Sequence, residues 1–280
     1  MQEFKFIYLL GHLKDNDPDV KGILKLDKMS FNESIIAQLG QDDSNLILDE
    51  NHYFQNDIYS KFMLNMTPEI SKIQCDFIYP APQSQIDKYT AQVYHIILET
   101  PEMHFKFVKP LYIEKLEKPQ WLYNVLDGVK EVELMKFKNE HFLLQQDYKV
   151  NSNEIQTLHL LAIPYDRTIT SIRDLNETHL DMLKSIRDDS YRTIKEVYGL
   201  DKSQIRALFH YYPTFYHLHV HFVHASQIEK CGAFLGKGQL LEDVIDNIEI
   251  KGDYYQTKTI QAQVGESHQI YKILIMGGQV

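Results

Sequence analysis

The stretch Tyr216-His217-Leu218-His219-Val220-His221-Phe222-Val223 constrains the fold more than any other part of the chain. Polar and apolar residues alternate strictly, the pattern of a half-buried β-strand. Successive side chains on a strand point to opposite faces, so His217, His219 and His221 share one face. Leu218, Val220 and Phe222 line the other and turn toward a core. Alternate residues stand about 6.6–6.8 Å apart along a strand, so the imidazoles form a row on a stiff support. Upstream, Ile205–His210 reads as a second strand. Residues 211–215 have hairpin-loop length, and Pro213 cannot continue a central strand. A hairpin there would return His210 alongside His217.

Three chemistries fit such a row. Histidines can simply occupy a wet sheet face, although four within residues 210–221 is many for that purpose. His-x-His on a strand can chelate zinc or iron; open metal sites often add a carboxylate, and none lies between His210 and His224. Covalent phosphoryl or nucleotidyl transfer uses one neutral imidazole as nucleophile. Its neighbours then fix its tautomer, bind non-bridging oxygens and protonate the leaving group.

A chain of 280 residues can bury a sizeable core in two domains or one large one. A net charge of −10 argues against nonspecific binding along duplex nucleic acid but allows a small anionic ligand held by a few cations. The two cysteines, Cys75 and Cys231, form no zinc pattern and suggest a reducing compartment. The first residues lack the regions of a signal peptide and no apolar run reaches membrane-spanning length, so an intracellular protein, with no membrane partner, is expected.

Residues 1–98 hold 8 Lys, no Arg and 14 Asp plus Glu, whereas all five arginines fall between Arg167 and Arg206. The first part reads as a small α+β unit with strands at 22–29, 46–48 and 77–79 and a helix at 34–40. Ile86, Tyr89, Val93, Ile96 and Ile97 recur at helical spacing after Ser84, a possible N-cap, and Pro101 lies just beyond. This predicts a helix over 84–99. In the second part, strands are expected at 132–137 and 141–145, and a central apolar strand at 158–164. A long helix should run from about 174 to Gly199 with Asn176 as N-cap, and another over 240–248.

His-Leu-His-Val-His-Phe-Val resembles the histidine-triad (HIT) motif whole, and the preceding Phe209-His210-Tyr211-Tyr212-Pro213-Thr214-Phe215-Tyr216 resembles the scavenger mRNA decapping branch of that superfamily. A second match, Trp121-Leu122-Tyr123-Asn124-Val125-Leu126-Asp127, resembles that family's cap-stacking segment. The lone tryptophan could equally fill a core. The resemblance implies an α+β fold in three parts: an N-terminal dimerisation and lid domain over 1–83, a hinge helix over 84–99 and a HIT catalytic domain over 100–280. The HIT domain would be an antiparallel sheet with helices. The resemblance also implies a homodimer that exchanges its N-terminal domains.

The implied activity is hydrolysis of the 7-methylguanosine cap dinucleotide, or of short capped oligonucleotides, without a metal or other cofactor. His219 is the implied nucleophile, with His217, His221 and His210 assisting. Trp121 would stack on 7-methylguanine, whose positive charge favours a tryptophan face. Glu131 would accept from the guanine edge, whose two parallel N–H donors match a carboxylate. Asp147 and Lys149 stand at positions the family uses on ribose and phosphates, with Tyr148 between them where the family has Leu. Asn56 and Tyr59, in Asn56-Asp57-Ile58-Tyr59, match cap-facing positions of the first domain. Lys237 stands where the family carries Arg, keeping the charge without the bidentate fork. Such an enzyme would work in the cytoplasm, the nucleus or both. A general dinucleoside-polyphosphate hydrolase has no reason for Trp121 with Glu131, and a non-catalytic cap-binding protein would not need four histidines.

Overall fold

The computed structural model describes residues 6–14, 16–28, 33–39, 41, 44–56, 59–68, 70–90, 92–147, 155–227 and 236–277. The chain divides into two compact units, Met1–Ala91 and Gln92–Val280.

The first unit contains β1 (Phe6–Gly11), β2 (Gly22–Lys28), β3 (Ile47–Asn56), β4 (Tyr59–Met66) and β5 (Ile73–Ile78). β1, β2 and β5 form an antiparallel sheet in that order, while β3 and β4 form a separate hairpin. Among the described residues the helices Glu33–Leu39 and Gln83–Tyr89 accompany these strands. Its core is thin: among the described residues Ile23 and Leu46 are its buried apolar side chains, while Ile7, Leu9, Leu10, Phe62, Met63 and Phe77 face outward.

The second unit opens with β6 (Tyr94–Glu99). Its main sheet uses β7 (Met135–Lys138), β8 (Phe142–Gln146), β9 (His159–Pro164), β10 (Ile205–His210), β11 (Val220–His224) and β12 (Gly238–Leu240). The six are antiparallel in the order β12-β10-β11-β9-β8-β7. β13 (Ile260–Gly265) returns to pair with β6.

Side-chain alternation divides the main sheet into two faces. On one, Phe142, Leu144, Leu160, Ala162, Phe209, Val220 and Phe222 are buried in a single core with Leu183, Ile186 and Ile194 of the helix Leu180–Tyr198 and Val244 and Ile248 of the helix Leu241–Ile250. Each such Val, Leu, Ile or Phe side chain, fully buried, contributes about 1.5–3 kcal/mol. On the other face Leu143, Leu161 and Ile163 pack against Leu122, Tyr123, Val125 and Leu126 of the short helix Gln120–Leu126. Register pairs Val220 with Ala162 and His221 with both Leu161 and Leu208. The odd-numbered residues of β11 therefore stand on this second face.

The long helix ends at Gly199, in the left-handed conformation (φ 72°) that glycine adopts without steric cost. Its start differs from expectation. Asn176 caps a 3₁₀ turn, Glu177–His179, with the His179 ring closing a capping box, and the α-helix begins at Leu180. The strand expected over 132–137 begins only at Met135, because Val132–Leu134 form a 3₁₀ turn.

The helix expected over 84–99 is corrected most. The helical segment is Gln83–Tyr89, with Pro82 at the N-cap position, so Ser84 lies inside it. Both the backbone N–H and the hydroxyl of Thr90 bond the Ile86 carbonyl and close the last turn. Tyr94–Glu99 is a strand, with Ile97 buried and Tyr94, Ile96 and Leu98 exposed. Apolar residues at 93, 96 and 97 suit a helix face, but the pairing of six residues with β13 and a β-branched, aromatic composition favour the strand.

Candidate active site

The histidine segment is buried on both faces: His217 is 1%, His219 5% and His221 7% exposed. Regular pairing begins at Val220 rather than Tyr216. Before it the chain is held by bonds of another kind, with the Leu218 N–H donating to the Ile169 carbonyl at 2.8 Å. His217 Nε2 lies 2.8 Å from the Pro164 carbonyl, and His219 Nδ1 lies 2.8 Å from the His217 carbonyl. A carbonyl only accepts, so each of those ring nitrogens carries the proton. In the neutral ring His219 Nε2 and His217 Nδ1 are then bare lone pairs.

Burial keeps these rings neutral. It pushes His219 down to about 4 against a partial upward pull from its bond to the His217 carbonyl. His217 is lowered by burial, and also by the nearby Arg167 guanidinium. His221 is held well below the ordinary histidine range by burial and then by His219, His210, His159 and Lys237. A buried imidazole with its lone pair free at neutral pH is a nucleophile.

His210 packs against His221, with ring centroids 4.1 Å apart, and not against His217 as the hairpin reading expected. The register sets this, because Leu208 pairs with His221 and β11 regains pairing only at Val220. Tyr211 N–H donates to the Lys237 carbonyl, which holds Lys237 close enough to His221 to disfavour its charged form. A cavity beside the row is lined by Thr170, Ser171, His210, Pro213, His217 and His219. Among the described residues no group of three His, Cys, Asp or Glu side chains is arranged to hold a metal ion.

Aromatic rings extend the site. Phe215 stacks on His219 (4.1 Å, 16°), and Trp121 meets Phe215 edge to face at 5.2 Å. Trp121 is 44% exposed while its helix neighbours Leu122 and Tyr123 are buried, so it is not a core filler. Glu131 adopts the left-handed conformation, φ 57°, a strained state for a residue with a side chain. Its carboxylate accepts from Gln145 Nε2 at 3.3 Å, and Gln145 pairs across the sheet with Leu161, next to His221. Trp121, Glu131 and the histidines thus converge on one face.

Asp147 also stands there. Its carboxylate oxygen lies 3.6 Å from His159 Nδ1, and His159 Nε2 lies 2.8 Å from His221 Nδ1. His159 was not anticipated, because 158–164 reads as a plain apolar strand. The available signal was its odd number, which puts it on the histidine face once β9 is paired with β11. Tyr148 and Lys149 lie outside the described residues, as do Asp57, Ile58 and Cys231. Asn56 and Tyr59 pair across the β3–β4 hairpin of the first unit.

An antiparallel sheet whose inner strand continues the run His-x-His-x-His, with the central ring bonded to the preceding histidine's carbonyl, defines a histidine-triad protein. Residues 2–92 match the family model described as scavenger mRNA decapping enzyme (DcpS) N-terminal, and residues 120–233 match scavenger mRNA decapping enzyme C-term binding. The m7GpppX diphosphatase of Ascaris suum is 40% identical over 223 residues, 78% of this chain and 73% of that protein. The m7GpppX diphosphatase of Bos taurus is 33% identical over 263 residues, covering 91% and 77%. That of Homo sapiens is 31% identical over 277 residues, covering 96% and 81%. The chain belongs to the scavenger mRNA decapping enzyme family.

Proposed function

We propose that this chain hydrolyses the cap dinucleotide m7GpppN, and short capped oligonucleotides, to 7-methyl-GMP and a nucleoside diphosphate or diphosphate-ended fragment. The observation that carries the reading is the bond from His219 Nδ1–H to the His217 carbonyl in a ring that burial keeps neutral. It leaves Nε2 as the nucleophile. His219 Nε2 bonds to the phosphorus next to 7-methylguanosine while the P–O bond to the departing diphosphate breaks. Water then displaces the imidazole and releases 7-methyl-GMP. His217, His221, His210 and Lys237 bind phosphate oxygens and move the leaving-group proton.

Trp121 stacks on the charged base, Glu131 accepts from its edge, and Asp147, Tyr148 and Lys149 take the ribose, the second base face and the phosphates. Residues 1–83 form the lid of a domain-exchanged homodimer and bring Asn56 and Tyr59 to the cap. The outward apolar side chains of that unit support this assignment, since such surface calls for a cover. The enzyme works inside the cell, in cytoplasm or nucleus, in keeping with the free thiol of Cys75. Among the described residues no helix is long and apolar enough to cross a membrane.

The test is chromatography of products from m7GpppG and GpppG, with and without chelator. Rapid, chelator-resistant cleavage of m7GpppG is expected, and His219→Asn should abolish turnover while leaving cap binding nearly intact. Turnover by that variant above about a hundredth of wild type would indicate direct attack by water. Chelator-sensitive activity restored by zinc would indicate a metal hydrolase.

A further inference from the structure

The odd face of the sheet carries one imidazole that the reaction outlined above does not use. His159 joins Asp147 to His221: Nδ1 faces the Asp147 carboxylate at 3.6 Å and Nε2 meets His221 Nδ1 at 2.8 Å. Backbone bonds fix the alignment, with Asp147 N–H donating to the His159 carbonyl at 3.0 Å and His159 pairing with Val223. The far nitrogen of His221, Nε2, is buried without a hydrogen-bond partner among the described residues. A bond between two imidazole nitrogens needs one proton and one lone pair, so the two rings cannot choose their tautomers independently.

We propose that His159, backed by Asp147, is the proton store for His221. The proposal rests on the hydrolytic reading of the site. In the loaded state His159 is an imidazolium whose Nδ1–H faces Asp147 and whose Nε2–H donates to His221 Nδ1. His221 is then neutral with its proton on Nε2, on the reacting side. When the P–O bond breaks, the departing oxygen takes the His221 Nε2 proton, and the His159 Nε2 proton moves to His221 Nδ1. Both rings end neutral, and His159 keeps Nδ1–H toward the carboxylate. Water attack on the phosphohistidine runs the path backward: the water proton goes to His221 Nε2, the Nδ1 proton returns to His159, and the store is refilled. His221, a crowded ring that disfavours its own charge, serves as acid and base without holding the cation, which rests beside Asp147. His159 is a positioning residue, since it acts only through His221.

Two measurements on the full chain test this. In protein labelled with 15N-histidine, a coupling across the hydrogen bond should connect His159 Nε2 with His221 Nδ1, and its absence would overturn the proposal before any substrate is added. The second compares wild type with His159→Leu and His159→Gln on m7GpppG and on the p-nitrophenyl ester of 7-methyl-GMP, whose nitrophenolate leaves without a proton. On m7GpppG both variants should lose at least about tenfold in kcat with KM held within about twofold. On the ester, nitrophenolate release in the first turnover should stay within about twofold of wild type. Equal losses on both substrates mean a purely structural role and sink the idea. A full rate for His159→Gln on m7GpppG does so too, because glutamine donates to His221 but cannot pass a proton along. If wild type cleaves neither substrate, the hydrolytic reading has failed, and the coupling alone then decides whether the two rings are linked.

Discussion

At the scale of single residues, a neutral buried His219 couples chemistry to stability. Its ordinary value of 6.5 falls to about 4 in the fold. Between those values the unfolded chain takes up a proton that the folded chain refuses. The stabilising contribution is therefore complete above about pH 6.5 and is lost as pH falls toward 4, roughly 3 kcal/mol in all. Thermal unfolding of wild type and His219→Asn across this window should show a shallower pH slope in the variant; parallel slopes would remove His219 from the account. Trp121, exposed beside Phe215, supports a second expectation. A cation–π contact contributes about 0.5–2 kcal/mol, so GpppG should react about tenfold worse than m7GpppG, and Trp121→Ala should erase most of the difference. Equal rates of wild type on both substrates would favour a general dinucleoside-polyphosphate hydrolase. The triad and Trp121 were legible in the sequence because strict alternation and a local aromatic motif are both short-range signals. His159 was not, since an apolar strand hides which of its residues faces what until its neighbours are paired.

At the scale of elements, the strand β6 matters more than the helix expected there. Its last residue, Glu99, is fully buried beneath the loop that follows His210. Burial raises its pKa, yet His104, Arg173 and Tyr211 outweigh that and hold it below the usual carboxylate value. Arg173 Nε donates to the carboxylate at 3.0 Å, and the hydroxyls of Tyr211 and Tyr212 donate at 2.5 Å each. The terminal guanidinium nitrogens donate to the carbonyls of Glu99, Tyr255 and Lys258, and one of them also lies 2.8 Å from the Glu99 carboxylate. Removing one partner of such a buried pair leaves an uncompensated charge, so Arg173→Met should cost about 3–5 kcal/mol and loosen the Tyr211–Tyr212 loop. Denaturant unfolding measures the cost; a loss below about 1 kcal/mol would mean that Glu99 simply takes up a proton. This cluster was not visible in the sequence, because Glu99, Arg173 and Tyr211 are far apart along the chain and no local pattern links them. The β6 error has a related origin, since apolar residues at 93, 96 and 97 follow helical spacing, whereas the pairing with β13 that makes the strand is long-range.

At the scale of the whole molecule, the two units are unequal partners. The second carries the large core and the histidine row, while the first buries little and turns many apolar side chains outward. The full-length chain should sediment as a dimer, with sedimentation velocity as the check. The start of β6 sets where a dissection must be made. A fragment of residues 92–280 keeps Glu99 and the β6–β13 pair and should fold, but lose most turnover of m7GpppG for want of the lid. A fragment beginning at Thr100 leaves Arg173 without its carboxylate and β13 without its partner, and should be several kcal/mol less stable than the longer one. Full cleavage by the 92–280 fragment, with a monomeric full-length chain, would dismiss the lid.

The two-sided character of the segment 217–222 also governs how this enzyme can change under mutation. Leu218, Val220 and Phe222 stand in the core, and His217, His219 and His221 alternate with them along the chain. A library varying codons 217 to 222 one at a time should give two interleaved phenotypes. Substitutions at the even codons should lower the yield of soluble protein, and those at the odd codons should lower turnover in protein that still accumulates. Heritable drift in chemistry and heritable drift in stability would then be carried by adjacent letters of the same short reading frame.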